Sequence, residues 1–395
     1  MQLRCKKYIS FYKIPLFLTV LADLNLLILM NGLVSSELFR ICVKDIRKEE
    51  GLHTKTMRVG LIYNLKTSNA DPADERGAEW DEPETINAIL QALSSEHEVV
   101  PIPADLDAYQ KLRQHRLDIV FNIAEGRRGP NREAHIPAIL EFLNIPYTGS
   151  DPFTLSACLD KCRTKEILSY HKIPTPRFQV IRKLSELNGS SPFPAIVKPL
   201  WEGSSIGIRN SSWVENKREL YQQVERIIES YDEPALVEEV LNGREFTVAL
   251  LGNENELSVL PIVEIRLDVL PAQAHPIYSY EAKWVWDVQD RPLDIFQCPA
   301  SIDFALKEKL EAVSKAAFRA LGCRDWCRID LRLNNEGIPY VLELNPLPGI
   351  LPDPRQNSCF PKAARAAGMD YPQMVLKILE VAAKRYEMLL MRNKV

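Results

Sequence analysis

Neither sign of charge dominates this sequence: 49 Lys and Arg stand against 53 Asp and Glu, a net charge of -4. That mixture supplies no basic footprint for nucleic acid and no polybasic surface for anionic lipid, so small polar ligands are the expected partners. The eight cysteines are scattered. Cys158/Cys162 and Cys323/Cys327 sit four apart without the further Cys or His of a zinc site, which predicts reduced, mostly buried thiols. No uninterrupted apolar run reaches the roughly 20 residues of a spanning helix; Ile14 to Met30 is broken by Asp23 and Asn25. Internal repeats and low-complexity segments are lacking, as is the Gly-Lys-Ser/Thr of a Walker A loop.

What is there is a globular composition, 46% apolar and 26% charged, enough for two or three packed units. Residues 1–56 differ from the rest, with a basic start (Arg4, Lys6, Lys7, Lys13) before the broken apolar run. A mis-called start, a weak anchor and an export signal all stay open for this extension. Met57 to Asn64 reads as the opening strand of an α/β domain. From there short β-branched runs alternate with amphipathic segments, the pattern of α/β layers with a largely parallel sheet. Strands are predicted at Val59–Tyr63, Glu98–Ile102 and Ile119–Asn122, with helices at Glu84–Ser94, Ala108–His115 and Ala134–Leu143, closing a first domain near residue 150. A helix at Lys161–His171 and strands at Phe178–Ile181 and Ala195–Lys198 open a second unit. Ala235–Val240, Glu245–Leu251 and Leu257–Glu264 read as successive strands of one antiparallel sheet. A long helix, Ile302–Leu321, precedes a hairpin and two final helices.

The hairpin carries the most chemistry. Strict alternation in Cys327–Leu333 puts Arg328, Asp330 and Arg332 on one face, and after the turn Asn334–Gly337 the return strand puts Glu343 and Asn345 on a common face. Two carboxylates and an amide oxygen suit a hard cation shared with nucleotide phosphates. Arg328 beside them suits charge developing on a transferred phosphoryl group or a tetrahedral intermediate. A solvated hairpin with incidental salt bridges would show the same pattern. Upstream, the strand Ala195–Lys198 ends in a lysine followed by Glu202-Gly203-Ser204-Ser205-Ile206-Gly207, small residues that let backbone N–H groups approach phosphate oxygens. A plain Gly-rich turn would look alike.

Read in order, Asp160-Lys161, the Lys198 strand and its loop, Val237–Leu241, Gly243–Val248, Tyr280-Glu281-Ala282-Lys283, Arg328-Ile329-Asp330 and Glu343–Pro346 resemble the D-alanine–D-alanine ligase family of ATP-grasp enzymes. The likeness runs from about Met57 to the C-terminus. It implies an α/β (α+β) fold: an N-terminal parallel-sheet domain (57–150), then a two-part ATP-grasp domain, small (151–243) and large (244–395). It further implies an ATP- and magnesium-dependent carboxylate–amine ligase, with manganese as an alternative metal, acting in the cytoplasm as a homodimer. By the same likeness Lys161 and Lys198 hold nucleotide phosphates, and Glu202, Ser204, Ser205 and Gly207 form the loop over them. Glu238 and Leu241 read the adenine, Glu245 the ribose, and Lys283 reaches the terminal phosphate. Asp330, Glu343 and Asn345 are the metal ligands, Arg328 steadies the intermediates, and Gly349 and Ser358 face the acceptor.

The departures lie on the substrate side. The family's Gly-Gly-x-Ser-x-Glu loop is replaced by Asn64-Leu65-Lys66-Thr67-Ser68-Asn69 and an acidic stretch, Asp71 to Glu84. Its His-Gly is replaced by Glu125-Gly126, followed by Arg127, Arg128 and Arg132, with which Glu125 is expected to pair. Trp284 stands where tyrosine is common. Cell-wall D-alanyl-D-alanine synthesis, ligation of another amino acid or small carboxylate, and a nucleotide-binding module without ligation therefore stay open.

Overall fold

The computed structural model describes residues 56–66, 79–187, 192–287 and 293–388, all within one compact unit, Thr56–Val395. The readings of the N-terminal extension and of residues 67–78 lie outside the described residues.

The first sheet is parallel, in the order β2-β1-β3: β1 (Arg58–Tyr63), β2 (Glu98–Pro103) and β3 (Ile119–Asn122). Helices α1 (Pro83–Ser94), α2 (Ala108–Gln114) and α3 (His135–Phe142) complete this layer. The apolar stripe of α1, Ile86, Ile89 and Leu93, is buried in one cluster with Met374, Ile378 and Ala382 of the last helix, Tyr371–Arg385. The last helix thus packs over the first described one.

Among the described strands, parallel pairing is confined to that sheet. Helix α4 (Pro152–Leu159), not anticipated above, leads into α5 (Lys161–Tyr170). Asp160 caps α5 by accepting from the N–H groups of Cys162 (2.9 Å) and Arg163 (3.0 Å), which fixes Lys161 at the first helical position. The second sheet, β4-β7-β5-β6, is antiparallel: β4 (Phe178–Ile181), β5 (Ala195–Pro199), β6 (Trp213–Val214) and β7 (Ala235–Glu239). Its core is closed by Leu220, Val224 and Ile227 of α6 (Lys217–Tyr231).

The third sheet, β11-β10-β8-β12-β13 with β9 on β8, holds β8 (Glu245–Leu251), β9 (Ser258–Val259), β10 (Val263–Ile265), β11 (Phe296–Gln297), β12 (Trp326–Leu333) and β13 (Pro339–Asn345). Helix α7 (Phe304–Ala320) covers it with α4 and α5 through Leu310, Phe318, Cys158 and Leu168, and α8 (Cys359–Ala366) and α9 (Tyr371–Arg385) close the chain.

Two expectations change here. Ala235–Val240 and Glu245–Leu251 belong to different sheets: the chain steps across at Gly243, whose N–H bonds Leu333 O (2.9 Å) and where a Cβ would collide with the Leu333 backbone. The run Leu257–Glu264 is split into β9 and β10 around Pro261, which has no N–H to give a ladder.

Candidate active site

The cleft is built first from the β12–β13 hairpin. Its register pairs Arg328 with Asn345 and Asp330 with Glu343, and an irregularity between Asp330 and Leu331 breaks the ladder at the point where the acidic side chains emerge. Arg328 Nη2 lies 2.9 Å from Asp330 Oδ2 and 3.9 Å from Glu343 Oε1, and Asn345 Nδ2 donates to Asp330 Oδ2 at 3.3 Å. Lys161, from the head of α5, reaches Glu343 at 4.0 Å and donates to the carbonyl of Glu202.

Lys198 on β5 pairs with Glu238 on β7, its diagonal neighbour across the strands. Glu238 also takes Lys165, one helical turn beyond Lys161 and fully buried. Burial alone would raise Glu343 and Glu238. For Glu343, Lys161, Lys198 and Arg328 outweigh it and hold the carboxyl at about 2; for Glu238, Lys165 and Lys198 hold it below its ordinary value. Lys165 escapes a sequence reading because a lone lysine in a helix looks solvated; its i,i+4 relation to Lys161 is the local hint.

The phosphate-loop residues adopt the left-handed region, at φ 51° for Ser204, 62° for Ser205 and 72° for Gly207. At Gly207 a Cβ would also strike the Pro199 ring, so glycine is required there. Ser205 Oγ donates to Tyr278 O (3.0 Å) and Tyr280 N–H to Ile208 O (2.8 Å), fastening the loop to the segment that carries Lys283. Lys283 opens onto the same cleft in a π-helical turn, Ala282–Trp286. Burial, and then the charge of Arg328, bring its ammonium down to about 8.

Glu245 on β8, expected at the ribose, is buried and bonded to Arg332 of β12 at 3.2 Å, directly across the ladder. Leu241 is buried beyond β7. The Glu238 carboxylate is taken up by the two lysines. At the opposite end, Ser358 Oγ donates to Gly349 O (2.9 Å) and accepts from Leu351 N–H (3.1 Å), so the two residues expected at the acceptor are joined to each other.

The substrate side is arranged differently. Asp81, Glu125 and Glu133 gather there, and burial pushes all three upward: Asp81 to about 7, Glu133 to about 8, and Glu125 well above the usual carboxylate range, reinforced for Glu125 and Glu133 by the charge of Glu79. Arg127 and Arg128 are exposed. Arg132 is buried, but it turns to Glu79 (2.8 Å) and Glu202 (3.3 Å), so the expected pairing of Glu125 with these arginines is not what forms. The physical reason is competition: the Arg132 guanidinium is taken by two closer carboxylates and by Trp201 O (2.9 Å).

Among the described residues no three His, Cys, Asp or Glu converge as a metal cluster. The hairpin offers two carboxylates and one amide oxygen, an oxygen-only set that fits magnesium when nucleotide phosphates supply the remaining ligands.

Residues 167–380 match the family model described as the D-ala D-ala ligase C-terminus. An uncharacterised protein of Sinorhizobium fredii is 41% identical over 268 residues, 68% of this chain and 75% of its own length. A D-alanine–D-alanine ligase of Pelotomaculum thermopropionicum is 30% identical over 339 residues, 83% of this chain and 97% of that protein. The crystal structure of the D-alanine–D-alanine ligase of Bacillus anthracis complexed with ATP aligns at a TM-score of 0.65 and 27% identity, covering 84% of this chain and 99% of that one.

Proposed function

This chain belongs to the D-alanine–D-alanine ligase family and is an ATP-dependent ligase that forms a carbon–nitrogen bond, and we propose that it joins two amino acids through an acyl phosphate with the residues of this cleft. The observation that carries the reading is the convergence of Lys161, Lys198 and Arg328 on Glu343, a charged wall assembled from three separate elements.

In the first step the donor carboxylate attacks the terminal phosphorus of ATP, the bond to the bridging oxygen breaks, and ADP departs. Lys161, Lys198 and Lys283 neutralise the phosphate oxygens as two anions are brought together. Asp330, Glu343 and Asn345 would hold magnesium, which supplies Lewis-acid neutralisation of the same oxygens when bound, and manganese fits the same oxygen set. Ser204, Ser205 and Gly207 cover the phosphates with their backbone, and Glu202 anchors the root of that loop by accepting from Lys161. Glu245 takes the ribose hydroxyls, and Leu241 with the backbone after Glu238 faces the adenine.

In the second step the acceptor amine attacks the acyl carbon, loses a proton, and inorganic phosphate leaves. Arg328 stabilises the oxyanion of the tetrahedral intermediate. Gly349 and Ser358 shape the acceptor end. The half-buried Glu125 faces the donor and selects a substrate that brings an ammonium group to it.

The donor and acceptor are small amino acids. Dipeptide synthesis from D-alanine for peptidoglycan is one assignment. A different amino acid is favoured by the acidic substrate side and by the higher identity to the uncharacterised Sinorhizobium protein than to the Pelotomaculum ligase. The need for ATP puts the reaction in the cytoplasm, and the family likeness suggests a homodimer. Among the described residues no helix is long and apolar enough to cross a membrane. The test is phosphate release from magnesium ATP with D-alanine, then with other D- and L-amino acids, the product weighed by mass spectrometry. Amide formed with any pair supports the reading. Nucleotide binding with no amide across the panel overturns it in favour of a binding module.

A further inference from the structure

The first sheet and the phosphate loop meet through one buried guanidinium. Arg132 lies in a short 3-10 turn, Arg132–Ala134, with its side chain 10% exposed. Its Nη2 is shared between Glu79 (2.8 Å) and Glu202 (3.3 Å), and its Nη1 donates to Trp201 O at 2.9 Å. Trp201 and Glu202 form the root of the phosphate loop. Trp201 is held further by Glu233, which accepts its N–H at 3.0 Å, and by Asp160, which accepts from its indole at 3.1 Å.

Glu79 is no stray surface carboxylate. Its neighbour Trp80 donates to Gly126 O at 3.2 Å, and Asp81 N–H donates to Asn64 O at 3.0 Å, which ties the segment to the end of β1. From there the Glu79 carboxylate lies so close over Gly203 that a Cβ at 203 would overlap it. Three oxygens from two chain segments are thus gathered by one planar fork, an arrangement that a point-charge ammonium cannot reproduce.

We propose that Arg132 is a positioning residue of this ligase: it braces the root of the phosphate loop and holds Glu79 as a cover over Gly203, so that the first domain and the loop close on the reacting phosphoryl group as one piece. The inference rests on the ligase reading for its catalytic consequence. A loop whose root is loose admits water, and water attacking the acyl phosphate returns the donor carboxylate and phosphate, so ADP accumulates without amide.

The experiment compares the full-length wild type with Arg132→Gln and Arg132→Lys, each first checked for a cooperative thermal transition. Two quantities are read: ADP formed per amide formed, and the dissociation constant for magnesium ATP without amino acid. Both variants are expected to raise the ADP-to-amide ratio at least about threefold, with the KM for the acceptor little changed. Nucleotide binding should weaken about tenfold in Arg132→Gln. Glu79→Gln should shift the ratio the same way by less, and the double variant should be no worse than Arg132→Gln alone. A wild-type ratio in both Arg132 variants, with activity lost only in proportion to folded protein, overturns the proposal. If the wild type makes no amide from any amino acid, the ligase reading fails by itself; the nucleotide affinity then decides the brace, tenfold weakening supporting it and unchanged affinity overturning it.

Discussion

Two carboxyls of the cleft, Glu343 and Glu238, carry the opposite electrostatic poise to three on its other wall, while Asp330 and Glu245, close to the same cations, are still raised by burial. On the nucleotide wall, Glu343 and Glu238 sit among Lys161, Lys165, Lys198 and Arg328, and the cations hold both carboxyls below their ordinary values. On the wall proposed for the substrate, Asp81, Glu125 and Glu133 are half-buried, Arg132 opposes the shift at Glu125 and Glu133 and Lys161 opposes it at Glu133, and burial still drives all three up. Burial is common to both walls; the number of cations decides the sign. Glu343 and Glu238 are therefore compensated as built, whereas Asp81, Glu125 and Glu133 are carboxyls that a cationic ligand would finish. A ligase of amino acids brings that cation with its substrate.

The largest effect should come from breaking that compensation. Lys198→Ala removes one of the two partners of Glu238 and a charge proposed to meet the phosphates; Glu343→Gln removes a carboxylate proposed to hold the metal while keeping its shape. Each is expected to lower kcat for ADP formation roughly a thousandfold with the fold retained. Glu133→Gln on the other wall, which swaps a largely protonated carboxyl for an amide, should leave kcat within about threefold of wild type at neutral pH. Steady-state ADP release reads all three, and comparable losses on the two walls would erase the distinction drawn between them.

A middle-sized effect tests what the substrate wall selects. Glu125→His restores the neutral imidazole expected of the family at that position. The preferred donor should change, with kcat/KM for the wild-type donor falling about tenfold to a hundredfold and KM for ATP nearly unmoved. An unchanged donor profile across the amino-acid panel would remove Glu125 from the specificity argument.

How much of this was legible beforehand follows the range of the interactions. The alternation that aligns Arg328, Asp330 and Arg332 is a period-two pattern within a few residues, and the hairpin return that brings in Glu343 and Asn345 is fixed by one turn; both strands form as expected. Asp160 as the cap that sets Lys161 is equally local. Helix α4 was missed although its signal was present, Asp151 as N-cap accepting from Thr154 N–H with Pro152 behind it. The step from β7 to β8 was read as continuous because nothing local distinguishes two strands of one sheet from two strands of adjacent sheets; the contact that decides it, Gly243 against Leu333, spans ninety positions of chain. Lys165 is invisible to a sequence reading for the same reason, and so are the true partners of Arg132, which local sequence sets beside Glu125. Lys165 looks like a surface charge until Glu238 arrives from a distant segment, as Glu79 and Glu202 do for Arg132. Local sequence thus disclosed which side chains share a face, and tertiary structure disclosed what holds them.

The smallest effect is also the one that most directly weighs the two walls against each other, because it needs no turnover. A carboxyl whose folded pKa lies above its unfolded value binds a proton in the folded state that the unfolded chain has already released. Its contribution to stability is therefore fully present below the unfolded pKa and is lost as pH rises through the folded value. Asp81 moves from 3.8 to about 7 and Glu133 from 4.5 to about 8, so the ligand-free protein should melt at progressively lower temperature from about pH 5 to about pH 8. Asp81→Asn and Glu133→Gln should each flatten that slope without altering its sign. An amino acid whose ammonium completes the wall should draw these carboxyls toward ionisation, so its binding near pH 7 should release protons, read by calorimetry as a heat that depends on the buffer's ionisation enthalpy. A melting temperature that climbs across the same window, or donor binding with no proton release, would mean that the substrate wall is already compensated and that the two walls do not differ in the way the structure implies.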